Sequence, residues 1–175
     1  MTRYVALLRG VNVGGITIKM ADLRAALEGA GFSGVRTVLA SGNVLFDADE
    51  TDRKALKQRF ETCLRDTFGY DAWIVLTDIA ALGSVVDAYP FDPEREGWHP
   101  YVVFSSDVAV LEEAAQLQDD LDPALERIAL GDGVLFWEVE RGHSLDSAFA
   151  KHNSKARLKP HVTTRNLRTL VKLLV

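Results

Sequence analysis

The sequence predicts an α+β protein: a ferredoxin-like βαββαβ subdomain packed against a second, incomplete ferredoxin-like α/β subdomain. Three observations carry this prediction. Strand-sized apolar runs and helix-period stretches follow the order β-α-β-β-α-β over residues 1–77. A second series, β-α-β-β-α with C-terminal helices, fills residues 78–175. Both parities of the first and fourth runs are apolar, Val5 and Leu7 against Ala6 and Leu8, then Trp73 and Val75 against Ile74 and Leu76. A sheet with one wet face would alternate, so the face away from the helices needs a cover, and the second subdomain is the candidate.

Each element has a local reason. Arg3 to Arg9 reads as the first strand, central in its sheet, and runs into the glycine-rich stretch Gly10-Val11-Asn12-Val13-Gly14-Gly15. Met20, Leu23, Leu27 and Ala30 recur at helical spacing before Gly31 stops the helix. Val35–Ala40 and Val44–Phe46 read as strands joined through Ser41-Gly42-Asn43, because Gly and Asn tolerate positive φ. Asp52 caps a helix with the stripe Leu56, Phe60, Cys63, Leu64 and Thr67, ended by Gly69, and Ala72–Leu76 is the fourth strand.

In the second subdomain Asp78 caps a short helix ended by Pro90, and Tyr101–Phe104 is a strand. Val110, Ala114, Leu117 and Leu121 share a helical face, and Gly131-Asp132-Gly133 turns a hairpin between Arg127–Leu130 and Val134–Val139. Two helices, Leu145–Leu158 and Thr164–Val175, close the chain.

Composition narrows the function classes. Net charge is −5 over 175 residues, which argues against a dedicated nucleic-acid binder. Apolar runs are far too short to span a membrane, no secretory leader follows Met1, and the lone Cys63 has no disulfide partner. A cytoplasmic protein is expected. Charge is uneven: residues 1–45 carry five basic and two acidic side chains, residues 46–140 seven and twenty-two, and residues 141–175 eight and one. The basic C-terminal segment can lie over the acidic middle in weak surface pairs.

Topology singles out one edge. In a split βαβ unit the first and second strands are parallel, so their C-terminal ends share an edge. That edge gathers Arg9, Asn12, Lys19, Ser41, Asn43 and the amides of Gly14 and Gly15. Exposed glycine amides beside cations suit a phosphate or carboxylate. The stretch matches neither G-x-G-x-x-G nor a P-loop, and the competing reading is that the glycines and Asn43 merely turn the chain. At the other end, Thr164 would cap the final helix and leave Arg165 and Asn166 in its first turn, expected to face the same edge and share one anion pocket.

Other candidates are weaker. His143, His152 and His161 lack ligand spacing, so no metal site is expected. Ser41 is not in a nucleophile elbow. Cys63, on its helix's apolar stripe, reads as a buried, inert thiol. Asp119, Asp120 and Asp122 read as a solvated helix end, and Lys151, Lys155 and Lys159 as a solvated face.

Four motifs in order, Tyr4-Val5-Ala6-Leu7-Leu8-Arg9-Gly10-Val11-Asn12-Val13-Gly14-Gly15, Lys19-Met20-Ala21-Asp22-Leu23, Ser41-Gly42-Asn43-Val44 and Thr163-Thr164-Arg165-Asn166, resemble the bacterial family called domain of unknown function 1697. The resemblance implies a ferredoxin-like α+β fold with a second subdomain and carries no activity with it. Ile16 and Leu167 depart from the family's usual polar residue and Trp.

Three readings follow: a small-anion binding protein using the Arg9–Lys19 edge; an enzyme of unknown reaction at that edge; and an RNA-binding ferredoxin-like module. The second lacks an evident general base, since no His, Asp or Glu falls in residues 10–19 or 41–43. The third lacks the exposed aromatic pairs of an RRM. Catalytic residues, cofactor and oligomeric state are not specified by the sequence.

Overall fold

The computed structural model describes residues 1–12 and 16–175. The chain divides into two units, Met1–Leu82 and Gly83–Val175.

In the first unit β1 (Thr2–Leu8) leads to α1 (Met20–Gly29), β2 (Ser33–Val38), β3 (Asn43–Ala48), α2 (Arg53–Phe68) and β4 (Ile74–Asp78). The sheet order is β2-β3-β1-β4, antiparallel throughout, which is the ferredoxin-like arrangement. β1 is central, as its doubly apolar pattern requires. Leu7 sits opposite Asn43 on one side and Val75 on the other.

The helices dock through i, i+4 stripes, Leu23 and Leu27 on α1 and Leu56, Phe60 and Leu64 on α2, all buried. They meet Tyr4, Ala6, Leu8 and Phe46 of the sheet. Phe32 sits edge-on to both Phe46 and Phe60, at 5.2 and 5.4 Å between centroids. Each such buried large side chain contributes about 2 kcal/mol of transfer free energy. Asp52 caps α2 by accepting from the Lys54 and Ala55 amides, and Gly69 ends it in the left-handed conformation. Cys63 packs at the border of this core. It is partly rather than fully buried, its thiol donates to the Ala26 carbonyl at 3.5 Å, and burial raises its pKa.

α3 (Ile79–Asp87) follows, capped by Asp78 through the Ala81 amide. The second unit holds β5 (Trp98–Ser105), α4 (Val108–Ala115), a 3-10 turn at Gln118–Asp120, β6 (Glu126–Leu130), β7 (Val134–Glu140), α5 (Ala148–Asn153), β8 (Val162–Asn166) and α6 (Leu167–Leu173). Its sheet order, β6-β7-β5-β8, repeats that of the first unit.

The ferredoxin-like class therefore stands, with one correction: the second unit is complete. Residues 162–166, read from sequence as leading into and opening the last helix, form β8 instead, pairing Tyr101 with Asn166 through to Ser105 with Val162. Val162, Thr163 and Thr164 are consecutive β-branched residues and favour the strand. The helix cap is Asn166, which accepts from the Arg168 amide, not Thr164. The helix read over Leu145–Leu158 shortens to α5, where Ser147 is the cap. Arg157 pairs with Glu113, one of the expected contacts between basic tail and acidic middle.

The core of this unit is Val103, Leu111, Leu135, Trp137, Val139 and Phe149. Glu126 is buried within it. Its carboxylate accepts from Trp137 Nε1 at 3.0 Å and from the Phe149 amide at 3.3 Å, tying β6 to β7 and to α5. Among the described residues no helix is long and apolar enough to cross a membrane.

Candidate functional site

The edge predicted from topology forms where β1 ends. The Leu8 amide donates to the Gly42 carbonyl at 2.9 Å and the Arg9 amide to the Trp73 carbonyl at 3.1 Å, so Arg9 emerges between the two neighbouring chains. Gly10 turns the chain with φ near +66°. Val11 then bridges Ile16, and the Asn12 amide donates to the Ile16 carbonyl at 2.9 Å, closing the loop at its base. Gly14 and Gly15, predicted to contribute amides, lie outside the described residues.

Asn12 is the structural centre of this edge. It occupies the left-handed region at φ 59°, which Asn tolerates better than most residues. Its Oδ1 accepts from the Ile18 amide at 2.9 Å, and its Nδ2 donates to the carbonyls of Ile18 at 3.1 Å and Ala40 at 2.7 Å. Asn43 is likewise turned inward. Fully buried, it donates from Nδ2 to the Val38 carbonyl at 2.8 Å and to Ser41 Oγ at 2.9 Å. These two amides build the edge, as the competing sequence reading had it for Asn43.

Two cations remain. Arg9 is half-buried, and among the described residues no hydrogen bond or carboxylate meets its guanidinium. Burial alone lowers its pKa, yet an arginine stays charged. Lys19, exposed and without an ion-pair partner among the described residues, stands at the N-cap of α1 in an extended conformation and provides no side-chain cap. The first-turn amides of α1 therefore receive no cap from the Lys19 side chain. Asp22 in that turn is the opposing charge, and no imidazole or other carboxylate occurs in residues 9–12, 16–19 or 38–43.

The hairpin beside these cations holds a feature sequence reasoning missed. Leu39 lies at φ 61° with its side chain exposed, an arrangement that favours neither its backbone nor its apolar surface. The turn runs through residues 39–42, and Gly42 is obligatory there. At φ +84° a Cβ would stand 2.9 Å from Leu8 Cβ.

Arg165 and Asn166 belong to the second unit. Arg165 is buried on β8 opposite Val102, and its Nη1 donates to Thr163 Oγ1 at 2.6 Å and the Thr164 carbonyl at 3.1 Å. Asn166 uses Oδ1 to cap α6. Among the described residues no group of three or more His, Cys, Asp or Glu side chains converges to hold a metal ion.

Comparison with known proteins agrees with the fold. The structure of a conserved bacterial protein, SP0830 from Streptococcus pneumoniae, superimposes with a TM-score of 0.79 at 24% identity, covering 98% of this chain and 96% of that one. An unknown protein from Galdieria sulphuraria aligns over 94% of this chain and 96% of that one at 14% identity, but with a TM-score of 0.29 it carries no argument. No curated protein matches the chain. The model of one family, described as a protein of unknown function (DUF1697), matches residues 1–136, which take in β1, the loop after it and the β2–β3 hairpin but not Thr163 to Asn166. On that match the chain belongs to the DUF1697 family.

Proposed function

We propose that the protein binds a small anion, a phosphate- or carboxylate-bearing metabolite, at the C-terminal end of β1. The observation that carries this reading is Arg9: a guanidinium withdrawn from water and left without a carboxylate or acceptor among the described residues. Partial burial of a lone charge is unfavourable, and an anion beside it restores the lost stabilisation. Lys19 and the uncapped first turn of α1 add to the same potential. Asn12 and Asn43 serve as scaffold, holding the loop and the hairpin in place.

Thermal unfolding with a panel of inorganic phosphate, pyrophosphate, sugar phosphates, nucleotides and dicarboxylates tests this. A ligand at about a hundred times its Kd stabilises by about 2.7 kcal/mol, a clear rise in Tm. Arg9→Ala and Lys19→Ala should keep the ligand-free Tm and lose the rise. Absence of any response in the wild type, or an undiminished response in Arg9→Ala, overturns the reading.

A further inference from the structure

The free edge of the second sheet carries a groove shaped for a further strand. β6 ends the order β6-β7-β5-β8, so only one of its sides is paired. The Gly131 amide donates to the Val134 carbonyl at 2.8 Å, and the Glu140 amide to the Leu125 carbonyl at 2.9 Å. Hydrogen-bonded pairs alternate along an antiparallel ladder, so Arg127 with Glu138 and Ala129 with Phe136 are bonded as well. Glu126, Ile128 and Leu130 therefore turn their backbone groups away from β7. The Glu126 amide is taken by the Asp122 carbonyl at 3.0 Å. The Glu126 carbonyl and both backbone groups of Ile128 and Leu130 have no partner among the described residues.

A cavity of about 430 Å³ follows this edge, and its walls come from both faces of the sheet. Ile128 and Leu121 belong to the helix-side core. Arg127 and Ala129 alternate to the other face, where the Arg127 guanidinium stands over the Phe91 ring, 5.0 Å from its centroid. Residues of opposite faces can line one cavity only around the rim between them, which is the place a fifth strand would take.

Open strand edges are normally blunted by Pro, Lys or a bulge. β2, an edge of the first sheet, has a register shift between Ser33 and Arg36. β6 has none, and both its charges are engaged inside the unit, Glu126 by Trp137 and Phe149 and Arg127 by Glu138. Leu130 leaves the far end of the edge exposed and apolar. Charge then selects the occupant. Asp119 lines the groove, Asp120 and Asp122 follow it, and Asp132 sits in the hairpin turn, all exposed and none in an ion pair among the described residues. Two copies of β6 paired edge to edge would bring these carboxylates together, and an acidic segment would be repelled.

We propose that β6 accepts an extended, basic peptide segment of a partner protein as a fifth, antiparallel strand. The peptide backbone pairs with Ile128 and Leu130, and its side chains alternate across the rim. Those of one parity point to Gln118 and Asp119, where a lysine or arginine meets a carboxylate, and those of the other lie on Phe91. This inference is independent of the Arg9 edge.

The test titrates a blocked, fluorescent hexapeptide alternating lysine and valine into the full chain, with amide hydrogen exchange followed by NMR. Saturable binding is expected, with exchange at the Ile128 and Leu130 amides slowed at least about tenfold. The same peptide with every amide N-methylated keeps the charge but cannot pair, and should not bind; nor should a peptide alternating glutamate and valine. Leu130→Pro removes an outward amide and spares the β6–β7 ladder, so it should weaken binding about tenfold, whereas Leu130→Ala should not. Asp119→Asn and added salt should each weaken it severalfold. The N-methylated peptide makes the same comparison without altering the protein. No binding by the wild type, equal binding of the N-methylated peptide, or no protection at Ile128 and Leu130 overturns the proposal. A dimer of the free protein that Leu130→Pro dissociates overturns it in favour of a second copy of the chain.

Discussion

The side-chain amide of Asn12 donates to the carbonyl of Ala40 at 2.7 Å, fastening the loop after β1 to the tip of the β2–β3 hairpin. The two segments lie far apart in sequence, so this single side chain sets the spacing of the edge on which Arg9 sits. Asn12→Ala removes three side-chain hydrogen bonds and leaves a Cβ residue at φ 59°. A loss of about 2–4 kcal/mol in urea unfolding of the full chain is expected. Asn12→Asp keeps the acceptor for the Ile18 amide but turns a carboxylate oxygen toward the Ile18 and Ala40 carbonyls, and should lose at least as much. Equal stability of wild type and Asn12→Ala would show that the clamp contributes nothing.

The hairpin gives a pair of opposite effects. Gly42→Ala brings a methyl group against Leu8 at a left-handed position and should destabilise by more than about 1 kcal/mol. Leu39→Gly relieves an exposed leucine of its positive φ, and a gain of about 0.5–1 kcal/mol in unfolding free energy is expected. Destabilisation by both substitutions would contradict the strain argument at Leu39.

Trp137→Phe strips Glu126 of its indole donor inside the second core. Leaving a buried carboxylate oxygen unpaired costs about 1–3 kcal/mol. The two residues should be coupled, so Trp137→Phe made in a Glu126→Leu background, which has no acceptor, should cost measurably less than in the wild type. Additive losses in that double-mutant cycle would mean the bond is energetically idle.

His152 makes stability depend on pH. Burial first, then Lys155, lowers its pKa, with Arg157 in the same sense and Glu113 opposing, and its Nε2 is buried without a partner. Between the folded pKa and about 6.5 the unfolded chain binds more protons. Stability therefore rises with pH through this window and is lost as pH falls below about 6.5. His152→Gln should flatten that part of the urea-midpoint profile between pH 7 and pH 5. An unchanged slope would place the titrating group elsewhere.

The helix–strand order of the first unit was legible because each element carried its own period and its own punctuation, Asp52 and Gly69 around α2 being the plainest case. β8 was not, because the apolar spacing of Leu167 and Leu170 drew the helix start back across Thr164. The run Val162-Thr163-Thr164 was the signal that outweighed it. β5 begins at Trp98, earlier than the expected Tyr101, and takes in Pro100, a residue unusual in a central strand. It is tolerated because Pro100 pairs only with Glu138, β8 reaching no further than Tyr101. At the candidate site the chemical types were legible but their roles were not. Whether an asparagine faces a ligand or its own backbone depends on long-range partners such as Ala40, which no local pattern encodes.

In both sheets the central strand is first in the chain and receives its last neighbour from the end of the unit, β1 from β4 and β5 from β8. During vectorial synthesis this imposes an order of completion. The first sheet can close once Asp78 has left the ribosome, whereas β5 keeps an open edge until Asn166 has emerged. Nascent chains halted after β7 should thus protect the first unit from protease while residues of β5 stay cleavable, and simultaneous protection of both would exclude such staging. The interval between those two lengths is when the second unit is most exposed to wrong pairing, and when a chaperone that covers strand edges would have most to do.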